Sequence, residues 1–464
     1  MKPAFILAIG LQFLCGLLFA QERVFSRTME VQPLSLLEYS LLIKCSNDSL
    51  KAVACLRFFD SAGHELLVYK SAPVSAVSFT KSGNYTEAPP YTRYALVTVE
   101  KDSTQNGEID IKDFHADLNI GVSSTRHEPL CDQDQYMRPF WNSDTIYNET
   151  VLLYSLHGAA ATGRMLFVPD KILSVKSFDL QNNYSKANDF AVNGRTITRK
   201  VDSKMPFRTD SSFDKQDLAW FNLQSQWIVV TYTHQDKWKG PAPSYKGEMM
   251  PKTLAKLRSK SALRIVAYGM SITRGLDVSG YDTVAPFMPP YVELFAGALK
   301  KDYGYQDIQL YNTALPGARA DWGARYAGQY INPLKPDLVI IDFGMNDFWN
   351  YKPEEFKGFI QTIIDKVRAA NPDAEFLMLS NMKFDPDYVS ESDKNKTFYV
   401  NNMEGYHTVL QQLEATGIIN LDMTTLSGMI YSRKKAKDCL ANPLHPNDYM
   451  ARWYAQGMAA LFQQ

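Results

Sequence analysis

Three stretches of this 464-residue chain place chemically useful side chains beside apolar runs. Residues 263–268 form an apolar run that stops at a glycine and is followed by Ser271, and the run 337–343 is followed by Asn346. His445 precedes the last amphipathic segment. A hydroxyl, an imidazole and a carboxamide can serve acyl transfer as nucleophile, base and oxyanion donor. The pattern therefore predicts a serine hydrolase site.

Each side chain has a defined role in this prediction. A serine hydroxyl attacks only as a base removes its proton, and His445 suits that task because an imidazole titrates at about pH 6.5. The oxyanion would be bound by the main-chain N–H groups of Ser271 and Gly317 and by the amide of Asn346. Taken singly, Ser271 also fits a helix cap and Gly317 a turn. Their joint order favours the catalytic interpretation.

This order of blocks resembles the SGNH (GDSL-type) hydrolases. That family has a serine after the first strand, a glycine after the second, a Gly-x-Asn-Asp after a middle strand and a late histidine. The resemblance covers about residues 253–464 and implies a flavodoxin-like, doubly wound α/β/α fold without a cofactor. The matching blocks are 265–275, 312–318 with Gly317, 344–347 with Asn346, and 445–447.

Two positions depart from the family pattern. Met270 stands where the family has an aspartate, and we expect that turn to repack with activity kept. Asn442 stands three residues before His445, where the family places the acid of the triad. An amide can accept the imidazole N–H but cannot stabilise imidazolium as a carboxylate does. Another carboxylate such as Asp438 replaces it, a backbone carbonyl holds His445 in a Ser–His dyad, or the enzyme is slow. We favour the dyad or assistance by Asn442 as the orienting group.

The elements that carry these residues alternate between strand and helix. Parallel strands with intervening helices predict a three-layer α/β/α domain over residues 253–464. The predicted strands are 263–268, 308–311, 337–343, 375–379 and 418–421, and the predicted helices are 290–299, 353–370, 399–415 and 447–462.

The first half of the chain predicts β-sandwich-type domains. Short apolar runs separated by turn residues favour a jelly-roll-like sandwich over residues 21–122. Residues 91–97 and 107–114 resemble the closing strands of carbohydrate-binding modules, although a packing module without a ligand fits them equally. A second β-rich domain is predicted over residues 123–252, with strands at 150–155, 165–168 and 227–233.

Residues 1–20 are typical of a secretory signal peptide, with a basic start, an apolar run and Ala20 before a polar stretch. They predict export to a periplasm, a cell surface or the medium, and a membrane anchor is the alternative. Because exported proteins can form disulfides, Cys45 and Cys55 either pair or remain buried thiols.

The composition of the chain indicates which kinds of ligand and partner it is expected to bind. A net charge of −1 with 21% charged and 45% hydrophobic residues is ordinary for a soluble protein and gives no sign of nucleic-acid binding. The seven histidines are scattered and no Cys-x-x-Cys pair occurs, so no metal and no cofactor are predicted. The mature chain has no predicted membrane span, and its oligomeric state is left open.

Together these features predict a secreted serine esterase for small acyl esters, with O-acetyl groups on carbohydrates as the expected substrate. A lipase, lysophospholipase or thioesterase is the alternative of the same family, and it should show an apolar groove beside Ser271. A sugar deacetylase should show a shallow cleft rimmed by aromatic and polar groups such as Trp322, Trp349 and Arg319. A glycan-binding protein with a degenerate hydrolase domain is the alternative outside the enzymes.

Overall fold

The chain divides into two compact units, residues 1–124 and 125–464. The fold is seen in a computed structural model, which describes residues 21–31, 36–71, 73–88, 92–102, 104–119, 127–209, 224–389 and 393–463. The predicted signal peptide, residues 1–20, lies outside the described residues. Within the described ranges, no helix combines the length and the apolar character needed to cross a membrane.

The first unit is built from antiparallel β-sheets, as predicted. Alternate residues of its strands, such as Leu37, Tyr39, Leu41 and Ile43, are buried and form its core. One sheet has the order β1-β6-β3-β4 and the other β5-β2-β7, with strands β1 (Gln21–Glu30), β2 (Leu36–Cys45), β3 (Ala52–Phe59), β4 (Glu65–Lys70), β5 (Thr80–Glu87), β6 (Tyr94–Asp102) and β7 (Ile109–Asn119).

The apolar or alternating runs at 38–44, 52–59, 66–69, 94–100 and 109–111 predict five of these seven strands, whereas β1 and β5 contain no such run. β1 and β5 lie at sheet edges and are rich in polar residues, so they lack the apolar run that marks a central strand. Cys45 and Cys55, on β2 and β3, are buried free thiols rather than a disulfide.

The second unit begins with a β-rich region. The predicted strand at 227–233 is present, whereas residues 165–168 do not form a strand. Its strands make two sheets with the orders β13-β14-β10-β9-β15 and β12-β11-β16-β8. The elements are α1 (Gln133–Tyr136), β8 (Thr145–Leu152), β9 (Tyr154–Ser155), β10 (Thr162–Arg164), β11 (Lys171–Ser177), β12 (Asn183–Tyr184), β13 (Phe190–Asn193), β14 (Thr196–Arg199), β15 (Arg208–Thr209) and β16 (Trp227–Thr233).

The rest of the second unit is a parallel α/β fold, which confirms the predicted fold class. Its sheet has the order β18-β17-β19-β20-β21, so the direction of winding reverses beside β17. The strands are β17 (Leu263–Gly269), β18 (Ile308–Asn312), β19 (Leu338–Asp342), β20 (Glu375–Ser380) and β21 (Ile418–Asp422). The helices are α2 (Pro251–Ser259), α3 (Ser271–Arg274), α4 (Tyr291–Asp302), α5 (Ala320–Tyr330), α6 (Pro353–Ala370), α7 (Lys396–Gln411), α8 (Met423–Tyr431) and α9 (Asp448–Ala460).

The β-rich region packs directly on helix α9, the helix that follows His445. The ring of Trp453 lies 4.8 Å from Phe140 and 5.4 Å from Trp238. Gln456 on the same helix donates to the carbonyl of Tyr136 at 2.7 Å. Because of this packing, the predicted segment 123–252 lies largely within the same compact unit as the α/β fold.

Candidate active site

The turn after β17 presents Ser271 at the start of α3, next to the reversal point of the sheet. Gly269 permits this turn, since an added Cβ would collide with the carbonyl oxygen of Asp342 and the hydroxyl of Thr273. Thr273 in turn donates to the Asp342 carboxylate at 2.8 Å, which ties the turn to the end of β19. The hydroxyl-bearing residue is thereby fixed at the carboxyl edge of the sheet.

The buried carboxylate of Asp342 holds this turn through hydrogen bonds. It is fully buried and accepts hydrogen bonds from Tyr291 at 2.7 Å and from Asn381 at 2.6 Å in addition to that from Thr273. Burial raises the pKa of its carboxyl to about 6, although these three donors favour the charged form.

The loop before α9 brings the predicted base to the predicted nucleophile. Nε2 of His445 lies 2.8 Å from Oγ of Ser271, although the residues are 174 positions apart. The loop closes on itself, because the N–H of Asn447 donates to the carbonyl of Cys439 at 2.9 Å and that of Ala441 to the carbonyl of His445 at 3.0 Å. This distance would allow the imidazole to accept the proton of the hydroxyl.

A carboxylate for which the sequence predicts no role lies on the other side of the imidazole. Oδ2 of Asp277 is 2.5 Å from Nδ1 of His445. Asp277 belongs to the loop between α3 and α4, where no repeat or spacing distinguishes it from Asp282. The one available signal is that a carboxylate stands six residues after Ser271, on the loop that leaves the nucleophile turn.

The contacts of Asn442 and Asp438 differ from those expected. The amide oxygen of Asn442 accepts from the main-chain N–H groups of Leu444 and His445, at 2.9 and 3.0 Å, so it is not available to the imidazole. Its amide nitrogen instead donates to Asp277 at 2.6 Å. Asp438 points elsewhere: it accepts from the main-chain N–H of Leu152 at 2.7 Å.

The loops that carry the three predicted oxyanion groups are in contact with one another. The amide nitrogen of Asn346 donates to the carbonyl of Ala318 at 2.9 Å, next to Gly317 in the loop after β18. It also approaches the sulfur of Met270 at 3.8 Å, one residue before Ser271. Gly317 has φ of +78°, a conformation that favours glycine, and its α-carbon faces open space.

Asp347 joins the two loops that carry these donors. One carboxylate oxygen accepts from the N–H of Ala320 at 2.7 Å and the other from the N–H of Gly344 at 2.9 Å. Its burial raises its pKa to about 7. The loop after β18 and the loop after β19 are therefore held at a fixed spacing, and that spacing places Gly317 relative to Asn346.

A cluster of aromatic side chains surrounds Trp349, three residues after Asn346 in the chain. The half-buried ring of Trp349 is 4.5 Å from Tyr399 and 5.8 Å from Tyr388. The loop that carries Tyr388 is linked to the histidine loop, since the N–H of Asp385 donates to the carbonyl of Pro443 at 2.9 Å.

Arg319 and Trp322, the other two side chains expected at the rim, differ in their surroundings. Arg319 follows the Gly317 loop and pairs with Asp321 at 3.2 Å, with 42% of its side chain exposed. Trp322 instead packs on Tyr268 and Tyr330 of the α/β core. Among the described residues, no group of three or more His, Cys, Asp and Glu is arranged to hold a metal ion.

The segment that carries Ser271, Asn346 and His445 also matches a known protein family. Residues 267–453 match the model of the GDSL-like lipase/acylhydrolase family, which confirms the predicted resemblance over that part of the chain. The chain matches no curated protein sequence.

Several solved structures are similar to part of this chain. One is a two-domain esterase active on acetylated mannans, at 19% identity, with 48% of this chain and 54% of that chain covered and a TM-score of 0.38. Another is an acetylxylan esterase from Geobacillus stearothermophilus, at 15% identity, 42% and 92% coverage and a TM-score of 0.34. A third is an α/β hydrolase from the metagenome of Lake Arreo, Spain, at 17% identity, 43% and 96% coverage and a TM-score of 0.34. This chain spans about half the length of the two-domain esterase.

Proposed function

We propose that this protein is a serine esterase that hydrolyses small acyl esters, with O-acetyl groups on carbohydrates as its natural substrates. The observation that carries the proposal is the 2.8 Å contact between Ser271 Oγ and His445 Nε2 within a segment that matches an acylhydrolase family. A glycan-binding protein with a degenerate site would have no need to keep this contact.

In the proposed reaction, Ser271 attacks the ester carbonyl while its proton moves to Nε2 of His445. The oxyanion is bound by the main-chain N–H groups of Ser271 and Gly317 and by the amide of Asn346, each donor typically lowering the barrier by about 3 kcal/mol. The imidazolium then protonates the departing sugar hydroxyl and leaves an acetyl-serine. Water, deprotonated by His445, releases acetate and restores the serine.

The carbohydrate part of the proposal is supported by aromatic and charged side chains that follow Asn346 and Gly317 in the chain. Trp349, Tyr388 and Tyr399 offer aromatic surface of the kind that stacks on sugar rings, and Arg319 offers hydrogen-bond donors for hydroxyl groups. Groups of this kind are what a sugar deacetylase requires, whereas a lipase requires an apolar groove beside Ser271.

The test is release of acetate from a panel of acetylated glycans, together with p-nitrophenyl acetate and octanoate. We expect the acetate ester to be preferred over the octanoate, and Ser271→Ala to lower kcat at least about 1,000-fold. Ser259→Ala, which changes an exposed serine on α2, is the matched control. Equal rates for wild type and Ser271→Ala would contradict the proposal, and a preference for octanoate would favour a lipase.

The proposal includes export of the protein, which is supported by the signal-like residues 1–20. Protein recovered from the periplasm or the medium of an expressing cell should begin near Gln21. Protein that keeps Met1 and stays in the cytoplasm would contradict this part of the proposal.

A further inference from the structure

The loop between α3 and α4 has no place in the esterase scheme above, yet it reaches the catalytic imidazole. Asp277 on this loop lies 2.5 Å from Nδ1 of His445, and Ser271 lies 2.8 Å from Nε2 of the same ring. The ring is thus held between a hydroxyl and a carboxylate. A carboxylate at Nδ1 fixes the tautomer in which Nε2 can accept a proton, and it stabilises the imidazolium that follows.

Asn442 holds this carboxylate in place. Its amide oxygen is occupied by the N–H groups of Leu444 and His445, which fixes the direction of the amide and turns its nitrogen toward Asp277. That nitrogen lies 2.6 Å from Oδ2 of Asp277 and 2.9 Å from Nδ1 of His445. Since an N–H on Nδ1 and the amide N–H groups are all donors, the shared acceptor is the Asp277 carboxylate.

The loop itself is fastened to the helix that follows the histidine. Asp448, the first residue of α9, accepts from the N–H of Ser279 at 2.8 Å and from its hydroxyl at 2.6 Å. The hydroxyl of Ser279 also accepts from the N–H of Met288 at 2.8 Å, which closes the loop. Asp277 has φ of +65°, a strained region for most residues other than glycine, so its conformation depends on such surroundings.

We propose that Asp277 is the positioning carboxylate of His445, and that Asn442 holds Asp277 from the position that the sequence resemblance assigns to the acid. The acid of the triad has thus moved from the histidine loop to the loop that follows the nucleophile. The proposal rests on the Ser271–His445 esterase described above. During attack, the serine proton passes to Nε2, the N–H on Nδ1 stays on the ring, and Asp277 remains ionised.

An exchange of the two side chains tests the proposal. The variants are Asp277→Asn, Asn442→Asp and the double variant, with p-nitrophenyl acetate as substrate. We expect Asp277→Asn to lower kcat at least about 100-fold with a small change in KM, because the ring loses its charged partner and can take the wrong tautomer. Asn442→Asp should lower kcat less than Asp277→Asn does. It keeps the Asp277 carboxylate beside the ring but places a second carboxylate next to it. The double variant should regain at least about tenfold over Asp277→Asn.

Controls separate this proposal from the esterase proposal and from misfolding. Asp373→Asn removes an 81% exposed carboxylate remote from the loop and should leave kcat unchanged. If Ser271→Ala abolishes activity but Asp277→Asn stays within threefold of wild type, the positioning role is refuted and the esterase stands. If Ser271→Ala is fully active, the esterase itself is refuted. A folded double variant no faster than Asp277→Asn would reduce Asp277 to a structural residue and overturn the proposal.

Discussion

The ammonium group of Lys434 lies 2.5 Å from Oε1 of Glu149, and neither side chain is exposed to solvent. Lys434 follows α8 and leads into the histidine loop, whereas Glu149 lies on β8 of the β-rich region. The same ammonium donates to the carbonyl of Thr150 at 2.7 Å, and Tyr232 donates to Glu149 at 2.6 Å. A buried charge pair thus joins the β-rich region to the segment that carries His445.

Removal of one partner of this pair should destabilise the second unit. We expect Lys434→Met to lower the free energy of unfolding by about 3–5 kcal/mol, because Glu149 is left buried and unpaired. The double variant Glu149→Gln with Lys434→Met should recover part of that loss. Lys252→Met, which breaks an exposed pair with Asp373, should cost less than about 1 kcal/mol. Urea unfolding measures all three, and equal losses for Lys434→Met and Lys252→Met would contradict the interpretation.

The buried carboxyl of Asp342 should make stability depend on pH. Burial raises its pKa to about 6 in the folded protein, whereas an exposed aspartate titrates at about 3.9. The folded state therefore holds a proton that the unfolded state has lost, and this contribution to stability is lost as the pH rises from about 4 to about 6.

Asp342→Asn should remove this part of the pH dependence. We expect the loss of unfolding free energy between pH 4.5 and pH 7 to be smaller in the variant than in the wild type, as measured by urea midpoints at both pH values. Asp373→Asn, at an exposed position, should keep the wild-type difference. A variant with an unchanged difference between the two pH values would show that Asp342 does not titrate in this window.

Gly344 should be intolerant of a side chain for two separate reasons. Its φ is +130°, and an added Cβ would lie 2.6 Å from Oδ1 of Asn381. We expect Gly344→Ala to lower both stability and kcat, since the N–H of Gly344 donates to Asp347, which joins the loops that carry Gly317 and Asn346. Gly358→Ala is the matched control on helix α6, where an added Cβ meets nothing within 4 Å. It should stabilise the protein by about 0.5–1 kcal/mol and leave kcat unchanged, as thermal unfolding and initial rates would show.

The sequence alone predicts the helices and strands whose apolar residues repeat with a clear period. Helix α6 was predicted at 353–370 because its buried Phe356, Ile360 and Ile364 recur at three-and-four spacing, and the buried strands of the sheet stood out as apolar runs. Helix α5 has no counterpart in the prediction because its buried face is made mainly of small residues such as Ala320, Ala324 and Ala327, which do not stand out as an apolar repeat.

The sequence predicts only those site residues that lie next to a regular strand or helix. Ser271 and Asn346 follow strands and His445 precedes a helix, so their position in the sequence already placed them at one edge of the sheet. Asp277 lies in an irregular loop, and its closeness to His445 depends on the Asp448–Ser279 hydrogen bonds between distant segments. Such contacts leave no local pattern, and the orientation of the Asn442 amide depends on them as well.

Asn346 should contribute to the transition state rather than to substrate binding. Its amide nitrogen donates to the carbonyl of Ala318 at 2.9 Å in the free protein and would turn to the oxyanion during reaction. We expect Asn346→Ala to lower kcat by about 100- to 1,000-fold with little change in KM, because the interaction forms only as negative charge develops. Asn346→Asp should be slower still, since a carboxylate repels the oxyanion. Asn350→Ala, an exposed position in the same loop, is the matched control and should retain the wild-type rate. A rise in KM with kcat kept would instead place Asn346 in ground-state binding.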